Sequence, residues 1–186
     1  MPILGSASSA TSSSFAASGF ESIATINGSG VQSVTFSSIP QNYTDLLVLI
    51  TAATASGNYT EGYPSIRFNG DSGSNYSRLN LNFCQAENSQ GSAAGQDTAS
   101  AGATYATNNP RSIPTQFYVH DYSSTDKYKS TDSTCFRLFS SFTASSEHLG
   151  YLWASTAAVT SITLVANTAN GWANYAKFSL YGIGKK

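Results

Sequence analysis

Apolar and polar residues alternate in short runs along this chain, and no segment of any length repeats its apolar residues at helical spacing. Gly, Asn, Ser and Pro divide the runs, which is typical of strands joined by turns. A series of short strands without helices predicts an antiparallel β-sandwich. We expect a jelly roll with additional edge strands, and a sandwich of the fibronectin type is the alternative. The strand-like runs are residues 20–28, 31–38, 43–53, 63–70, 76–85, 112–124, 133–143, 148–155, 161–167 and 176–184.

The run 43–53 is the most apolar in the chain and predicts a central strand. Within the run 76–85, large apolar residues alternate with polar ones from Arg78 to Phe83. Residues 86–111, which follow it, contain few bulky apolar residues and predict a long loop. The alternating apolar residues of 76–85 are Leu79, Leu81 and Phe83.

The first strand-like runs lie close together in the sequence. The Gly-Ser-Gly sequence at 28–30 predicts a turn, so we expect 20–28 and 31–38 to form a hairpin. The residues of the first run that we expect to contact the core are Phe20, Ile23 and Ile26.

The first 18 residues carry no charged side chain and consist mostly of Ser, Ala and Thr. Such a segment cannot bury enough surface to fold alone. We therefore divide the chain into an extended N-terminal arm at 1–19 and a single β-sandwich domain at 20–186. The arm's large apolar residues, which are its candidate contacts with a partner, are Ile3, Leu4 and Phe15.

Charge is scarce along the whole chain. Charged residues make up 10 % of it, against roughly 25 % in a typical soluble domain. Nine Lys and Arg balance ten Asp and Glu without a basic patch, so we do not expect nucleic-acid binding. No apolar run is long enough to span a membrane. A polar, weakly charged surface that is rich in Tyr and Phe favours packing against neighbouring proteins.

Catalytic chemistry finds little support in the sequence. The two histidines are His120 and His148, and no Gly-x-Ser-x-Gly nucleophile motif occurs. Within a strand, His120 and Asp121 would point to opposite faces, which argues against a catalytic pair. Nothing marks two of the remaining carboxylates as the pair that a glycosidase needs. We therefore expect no enzymatic activity.

Metal and cofactor sites are not expected either. The sequence NGDSGSNYS at 69–77 offers side-chain oxygens at Asn69, Asp71 and Asn75, but it lacks the pattern of an EF-hand loop. A turn stabilised by Asp and Asn side chains explains it better. Cys84 and Cys135 each lie in a strand-like run, which favours buried free thiols, and a single bridge between them stays open.

Aromatic residues are the remaining candidates for a binding surface. Trp153 lies in a strand and is expected in the core. Trp172 and Tyr175 lie in a loop between strands, and Tyr105 lies in the long loop. Exposed, they would form an interface or stack on a sugar. The alternative for Trp172, which we favour, is an aromatic ring folded over the sandwich edge.

Six stretches, in order, resemble a family of structural proteins from tailed bacteriophages. They cover most of residues 20–184, and the opening MPILG is similar too. No single motif among them is decisive, so the resemblance depends on all six in register. The stretches are FESIATI at 20–26, VTFSSIPQNYTDLLV at 34–48, IRFNGDSGSNYSRL at 66–79, DYSSTDKYKS at 121–130, GYLWASTAAVTSITL at 150–164 and FSLYGIG at 178–184.

This resemblance implies a virion component with a β-sandwich or jelly-roll domain, often trimeric, and it implies no catalytic residues. We expect a head decoration, or cement, protein that binds the major capsid protein and copies of itself, as a homotrimer, on the outer capsid surface. The alternative is a tail-fibre or receptor-binding module that recognises a host surface glycan. The sequence lacks the long fibrous repeat that a complete tail fibre usually has, which favours decoration.

Overall fold

The computed structural model describes residues 19–53, 61–62, 64–84, 88–100, 104–105, 113–138, 144–166 and 170–186. Those residues form β-strands and no helix. The strands are β1 (Phe20–Asn27), β2 (Ser33–Phe36), β3 (Tyr43–Ala52), β4 (Glu61–Gly62), β5 (Ser65–Phe68), β6 (Tyr76–Cys84), β7 (Asn88–Gln96), β8 (Ala99–Ser100), β9 (Thr104–Tyr105), β10 (Ile113–Val119), β11 (Lys129–Leu138), β12 (Ala144–Trp153), β13 (Ile162–Val165) and β14 (Lys177–Lys185).

Two antiparallel sheets pack against each other, which confirms the predicted β-sandwich. The large sheet has eight strands in the order β1-β14-β3-β10-β11-β12-β6-β7, and the small sheet has four in the order β2-β13-β5-β8. β4 and β9 form a separate two-stranded pair. The jelly-roll topology is not confirmed. The two layers are unequal, so one face of the large sheet has no second layer among the described residues.

β3 lies inside the large sheet between β14 and β10, as its apolar run predicted. Leu46, Val48 and Ile50 alternate along it and are buried against the small sheet. Each such side chain contributes about 1.5–3 kcal/mol through removal from water. The core residues that the small sheet contributes are Val34, Phe36, Ile66, Phe68, Ala99, Ile162 and Leu164.

The predicted hairpin between the first two runs is wrong. β1 pairs with β14 in the large sheet, whereas β2 pairs with β13 in the small one. The Gly-Ser-Gly segment therefore carries the chain from one layer to the other. At this crossing the backbone of Gly28 packs closely against Phe178. A Cβ at Gly28 would lie only 2.6 Å from the Phe178 ring, so a side chain does not fit there.

The three expected core contacts of β1 divide between its faces. Ile23 and Ile26 pack against the core, as predicted. Phe20 is 66 % exposed, so its assignment to the core is wrong. It pairs with Ile183 at the start of the edge strand, on the side of the sheet that faces away from the small sheet.

The long loop predicted at 86–111 is also wrong over much of its length. Residues Asn88–Gln96 form β7, which pairs with β6 at the edge of the large sheet. Small polar residues form this strand because antiparallel pairing needs only backbone amide and carbonyl groups. Further along the segment, Ala99–Ser100 form β8 and Thr104–Tyr105 form β9.

The packing of Gly182 gives a test of this fold. A Cβ at Gly182, on the buried side of β14, would lie 2.4 Å from the ring of Tyr43. We expect Gly182→Ala to lower the free energy of unfolding by about 1–3 kcal/mol because the core has no room for the methyl group. Gly150→Ala is the matched control, since nothing lies within 4 Å of its Cβ position. Urea unfolding that gives equal stabilities for both variants would contradict the packing.

Candidate interaction surface

The strand registers place the outward side chains of the large sheet in rows across its eight strands. We call the face that points away from the small sheet the outer face. One row is Ser22, Tyr181, Leu47, Tyr118, Asp132, Gly150, Leu79 and Ser92. The next row is Thr25, Ser179, Leu49, Gln116, Thr134, His148, Leu81 and Gln90. Beyond it lie Asn27, Lys177, Thr51 and Pro114 on one side, and Phe136, Ser146 and Phe83 on the other.

Large apolar side chains stand exposed on this outer face. On β6, Leu79 is 58 % exposed and Phe83 is 52 % exposed, whereas Asn80 and Asn82, which point inward, are partly buried. The usual polarity of a surface strand is thus reversed along β6. Exposed patches of this kind mark protein–protein contacts in soluble proteins. We define the outer patch as Leu49, Leu79, Leu81, Phe83, Phe136 and Leu152.

The outer face also carries two shallow depressions. One has a volume of about 420 Å³ and is lined by residues of β3, β10, β11 and β12, among them Leu49, Gln116 and Phe136. The other, about 210 Å³, lies between β6 and β7 beside Leu81 and Phe83. Both are open to solvent and are lined mainly by apolar surface. Their shape suits the side chains of another protein better than an enclosed small molecule.

Few charges interrupt this face, and those of Asp45 and Asp132 are engaged with neighbours. Asp45 accepts hydrogen bonds from the Tyr118 hydroxyl at 2.9 Å and from the Asp121 amide at 2.8 Å. Burial, reinforced by the bond to Asp45, raises the pKa of Tyr118 to about 12. Asp132 lies 2.7 Å from Nε2 of His120.

The His120–Asp132 pair has the geometry that orients a catalytic histidine. The His120 ring also packs against the Tyr118 ring, with the ring centroids 4.6 Å apart. Within the described residues, no serine or threonine hydroxyl hydrogen-bonds to His120. Asp121, the residue considered with His120 from the sequence, has a φ of 44° and instead binds Lys127 at 2.7 Å. The His120–Asp132 pair thus links the end of β10 to the adjacent strand β11 on the outer face.

The NGDSGSNYS segment is a turn whose polar groups bind the protein itself. The carboxylate of Asp71 accepts hydrogen bonds from the Trp153 indole at 2.7 Å, from Asn75 and from the Gly73 amide. Asn69 accepts from the amides of residues 160 and 161 with its side-chain oxygen. Among the described residues, no group of His, Cys, Asp and Glu is gathered in a way that would hold a metal ion.

Trp172 does not form a binding surface with Tyr175. It is fully buried and packs edge-to-face on Phe178, with ring centroids 4.8 Å apart. Backbone hydrogen bonds to Gly30 and Val31 hold the Trp172 segment over the end of the core. The prediction of an exposed Trp172 is therefore wrong, and its alternative, a ring folded over the sandwich, describes it better. Tyr175 is 41 % exposed.

The remaining aromatic and apolar residues that the sequence singled out are Tyr105, Trp153 and the contact residues of the N-terminal arm. Tyr105 belongs to β9, whose backbone pairs with β4, and its side chain is not described. Trp153 is buried, as predicted. The predicted arm contacts, which lie outside the described residues, are Ile3, Leu4 and Phe15.

Cys135 is buried and is not part of a disulfide, so it does not form the bridge to Cys84 that the sequence left open. Its Sγ lies 3.6 Å from the Glu147 carboxylate, and both side chains are buried on the inner side of the large sheet. This carboxylate therefore lies on the opposite side of the sheet from the His120–Asp132 pair.

Comparison with protein-family models, with curated proteins and with solved structures finds no match. Among the described residues, no helix has the length and apolar character needed to cross a membrane. The outer patch is the feature that sequence reasoning missed. Its signal was the alternation within 76–85 together with the low charge of the chain, but alternation alone does not say which face is buried.

The bond between Asp71 and Trp153 gives a test of the turn that supports β6. We expect Asp71→Asn to lower the free energy of unfolding by about 1–2 kcal/mol, because the indole and Asn75 lose a charged acceptor. Asp126→Asn, at an exposed turn position whose amide donates to Ser124, is the matched control. Chemical unfolding at neutral pH measures both, and equal stabilities would contradict the role of Asp71.

The same residue sets a pH dependence. Hydrogen bonding from Trp153, followed by that from Asn75, lowers the pKa of Asp71 below its ordinary value of 3.8. The stabilisation is therefore complete above the unfolded-state pKa and is lost as pH falls through the folded-state pKa. We expect the stability difference between wild type and Asp71→Asn to narrow in acid, in unfolding curves measured at a series of pH values. A difference that widens below the unfolded-state pKa would contradict this linkage.

Proposed function

We propose that this protein is a structural component of a tailed-phage virion, a head decoration protein that binds the outer capsid surface and stabilises the shell. The observation that carries the proposal is the outer patch on a weakly charged sheet face. A face of this kind favours a protein that works while covered by other protein. The resemblance of six stretches to phage structural proteins supports the same function.

The acidic groups of the outer face and of the turn before β6 are consistent with a structural role. Asp45, Asp71 and Asp132 each accept hydrogen bonds or pair with a neighbour, and so hold strands and turns in place. A decoration protein needs a rigid body that is repeated many times on the shell. Several weak contacts per assembly then act together, because each bound copy raises the effective concentration of the next contact.

The uncharged segment 1–18 is the proposed attachment to the shell. It precedes β1, an edge strand of the large sheet, and at full extension it could span roughly 60 Å. It can lie against another protein without removing a charge from water. Its Ile3, Leu4 and Phe15 side chains would supply the apolar contacts.

The tail-fibre alternative loses its main aromatic residue. Stacking on a sugar needs an exposed aromatic face, and Trp172 is buried in the core. Tyr175 is exposed, but the buried Trp172 ring does not form a stacking surface together with it. Decoration therefore remains the function that the geometry supports better.

The number of copies per particle tests the proposal. A decoration protein is expected at a count comparable to that of the major capsid protein, distributed over the head. Quantitative mass spectrometry of purified virions gives the count, and antibody labelling in electron micrographs gives the position. A few copies confined to the tail would contradict decoration and favour the receptor-binding alternative.

The attachment segment has its own test. We expect Leu4→Asp and Phe15→Asp each to weaken binding to undecorated heads by about tenfold or more, because each change removes about 1.5–3 kcal/mol of apolar contact. Ser9→Asp and Ser13→Asp are matched controls, since they add the same charge without removing an apolar side chain. Binding is measured by co-sedimentation with heads, and equal losses in all four variants would contradict apolar attachment.

A further inference from the structure

We infer that the outer face of the large sheet is the surface through which two copies of this chain pack against each other, face to face. The inference deepens the proposed function and rests on one part of it, namely that the protein performs its function as part of an assembly. It assigns an occupant to the outer patch, and it leaves the segment 1–18 for the shell.

The area of the face matches what a stable pair of copies needs. The large sheet has eight strands of seven to ten residues. With strands about 4.8 Å apart and a rise of about 3.3 Å per residue, the face measures roughly 34 by 26 Å, or about 900 Å². Specific interfaces bury about 800 Å² on each partner.

The arrangement of side chains on the face resembles the anatomy of an interface. Its two borders, β1 and β7, present polar side chains such as Ser22, Thr25, Gln90 and Ser92, and the exposed Phe20 stands at one end of the β1 border. The exposed Leu and Phe side chains of the outer patch lie on the strands between these borders. An apolar centre within a polar rim is the usual composition of a protein–protein contact.

The rows of the outer face also complement themselves. Consider a two-fold axis that runs across the strands, midway between the row of Leu79 and the row of Leu81. It reverses the order of the rows and keeps each strand opposite its own copy. Leu79 then meets the partner's Leu81, since the two belong to adjacent rows of β6. On β3 the same axis places the exposed Leu49 over Leu47 of the other copy, which is only 9 % exposed in its own chain.

The charges fit the same arrangement. Lys177 lies at one end of β14, and Ile183 lies at the other, beside Asp45 of β3. Reversing the rows brings each Lys177 over Ile183 and next to Asp45 of the other copy. Opposite charges therefore approach at both ends of the pair, which favours this orientation over one that keeps the rows in step.

The sheet edges are poorer candidates for self-association. A β-bulge between Ser22 and Ala24 interrupts β1, and another interrupts the pairing of β6 with β7 near Tyr76 and Arg78. Bulges and twisted edges hinder the addition of a further strand. Self-association through the face needs no free edge.

Self-association of the full chain in solution is the first test. We expect sedimentation velocity of wild type to show a dimer, or a larger assembly built on it, in place of the homotrimer that the sequence resemblance implies. Leu81→Asp should weaken the association by about 100-fold or more, as for a central apolar contact that becomes charged. Val31→Asp is the matched control, because Val31 is 44 % exposed and Leu81 is 41 % exposed, and Val31 lies off the outer face. Leu79→Asp serves as a second variant, with unfolding curves to show that each variant folds.

A mixing experiment tests the orientation. We expect chains carrying Leu79→Asp and chains carrying Leu81→Lys to associate with each other more strongly than either kind associates with itself, because the axis places Leu79 opposite Leu81 and not opposite itself. Sedimentation velocity of each variant alone and of the mixture measures this difference. Self-association of either variant that is as strong as the association in the mixture would overturn this arrangement.

The outcomes separate the inference from the proposed function. A wild type that stays monomeric at every concentration overturns the inference. It does so even if Leu81→Asp abolishes binding to heads, and even if a chain without residues 1–18 self-associates. An assembly that survives both Leu81→Asp and Leu79→Asp overturns it as well. An assembly that these changes dissolve, formed by a protein absent from phage heads, supports the inference and contradicts decoration.

Discussion

An eight-stranded sheet presents side chains on two faces, and the described part of this chain supplies a four-stranded second layer for one of them. This inequality shapes the rest of the structure. The inner face carries Leu46, Val48, Ile50 and the other core residues, and the small sheet closes over them. The outer face keeps its own Leu and Phe side chains in contact with solvent. A partner that covers this face removes the most conspicuous exposed apolar surface of the described structure.

Residues that often perform chemistry hold strands and turns together here. Asp71 ties the turn before β6 to Trp153, and His120 joins Asp132 across β10 and β11. Cys135 is reduced and buried beside Glu147. These contacts make the sheet a rigid platform. A rigid surface loses little entropy when it binds, which favours a protein that assembles through its faces.

The sequence predicted the fold class and several strands, because alternation and apolar content act locally. β3 was recognisable as a central strand, and Ile23 and Ile26 as core contacts. Layer assignment was not predictable, since a Gly-Ser-Gly segment can close a hairpin or carry the chain to another sheet. β7 escaped notice because its pairing depends on the backbone. The exposure of Leu79 and Phe83 depends on which face of β6 the small sheet covers, which no local pattern encodes.

The central claim is that protein covers the outer face when this chain performs its function. Hydroxyl-radical footprinting of the assembled state, followed by mass spectrometry, measures the exposure of individual side chains. The account predicts that Leu81, Phe83 and Phe136 are protected from oxidation in the assembly, while Val31 and Tyr128, exposed elsewhere on the molecule, react as they do in dissociated protein. Equal oxidation of the outer patch in the assembled and dissociated states would contradict it.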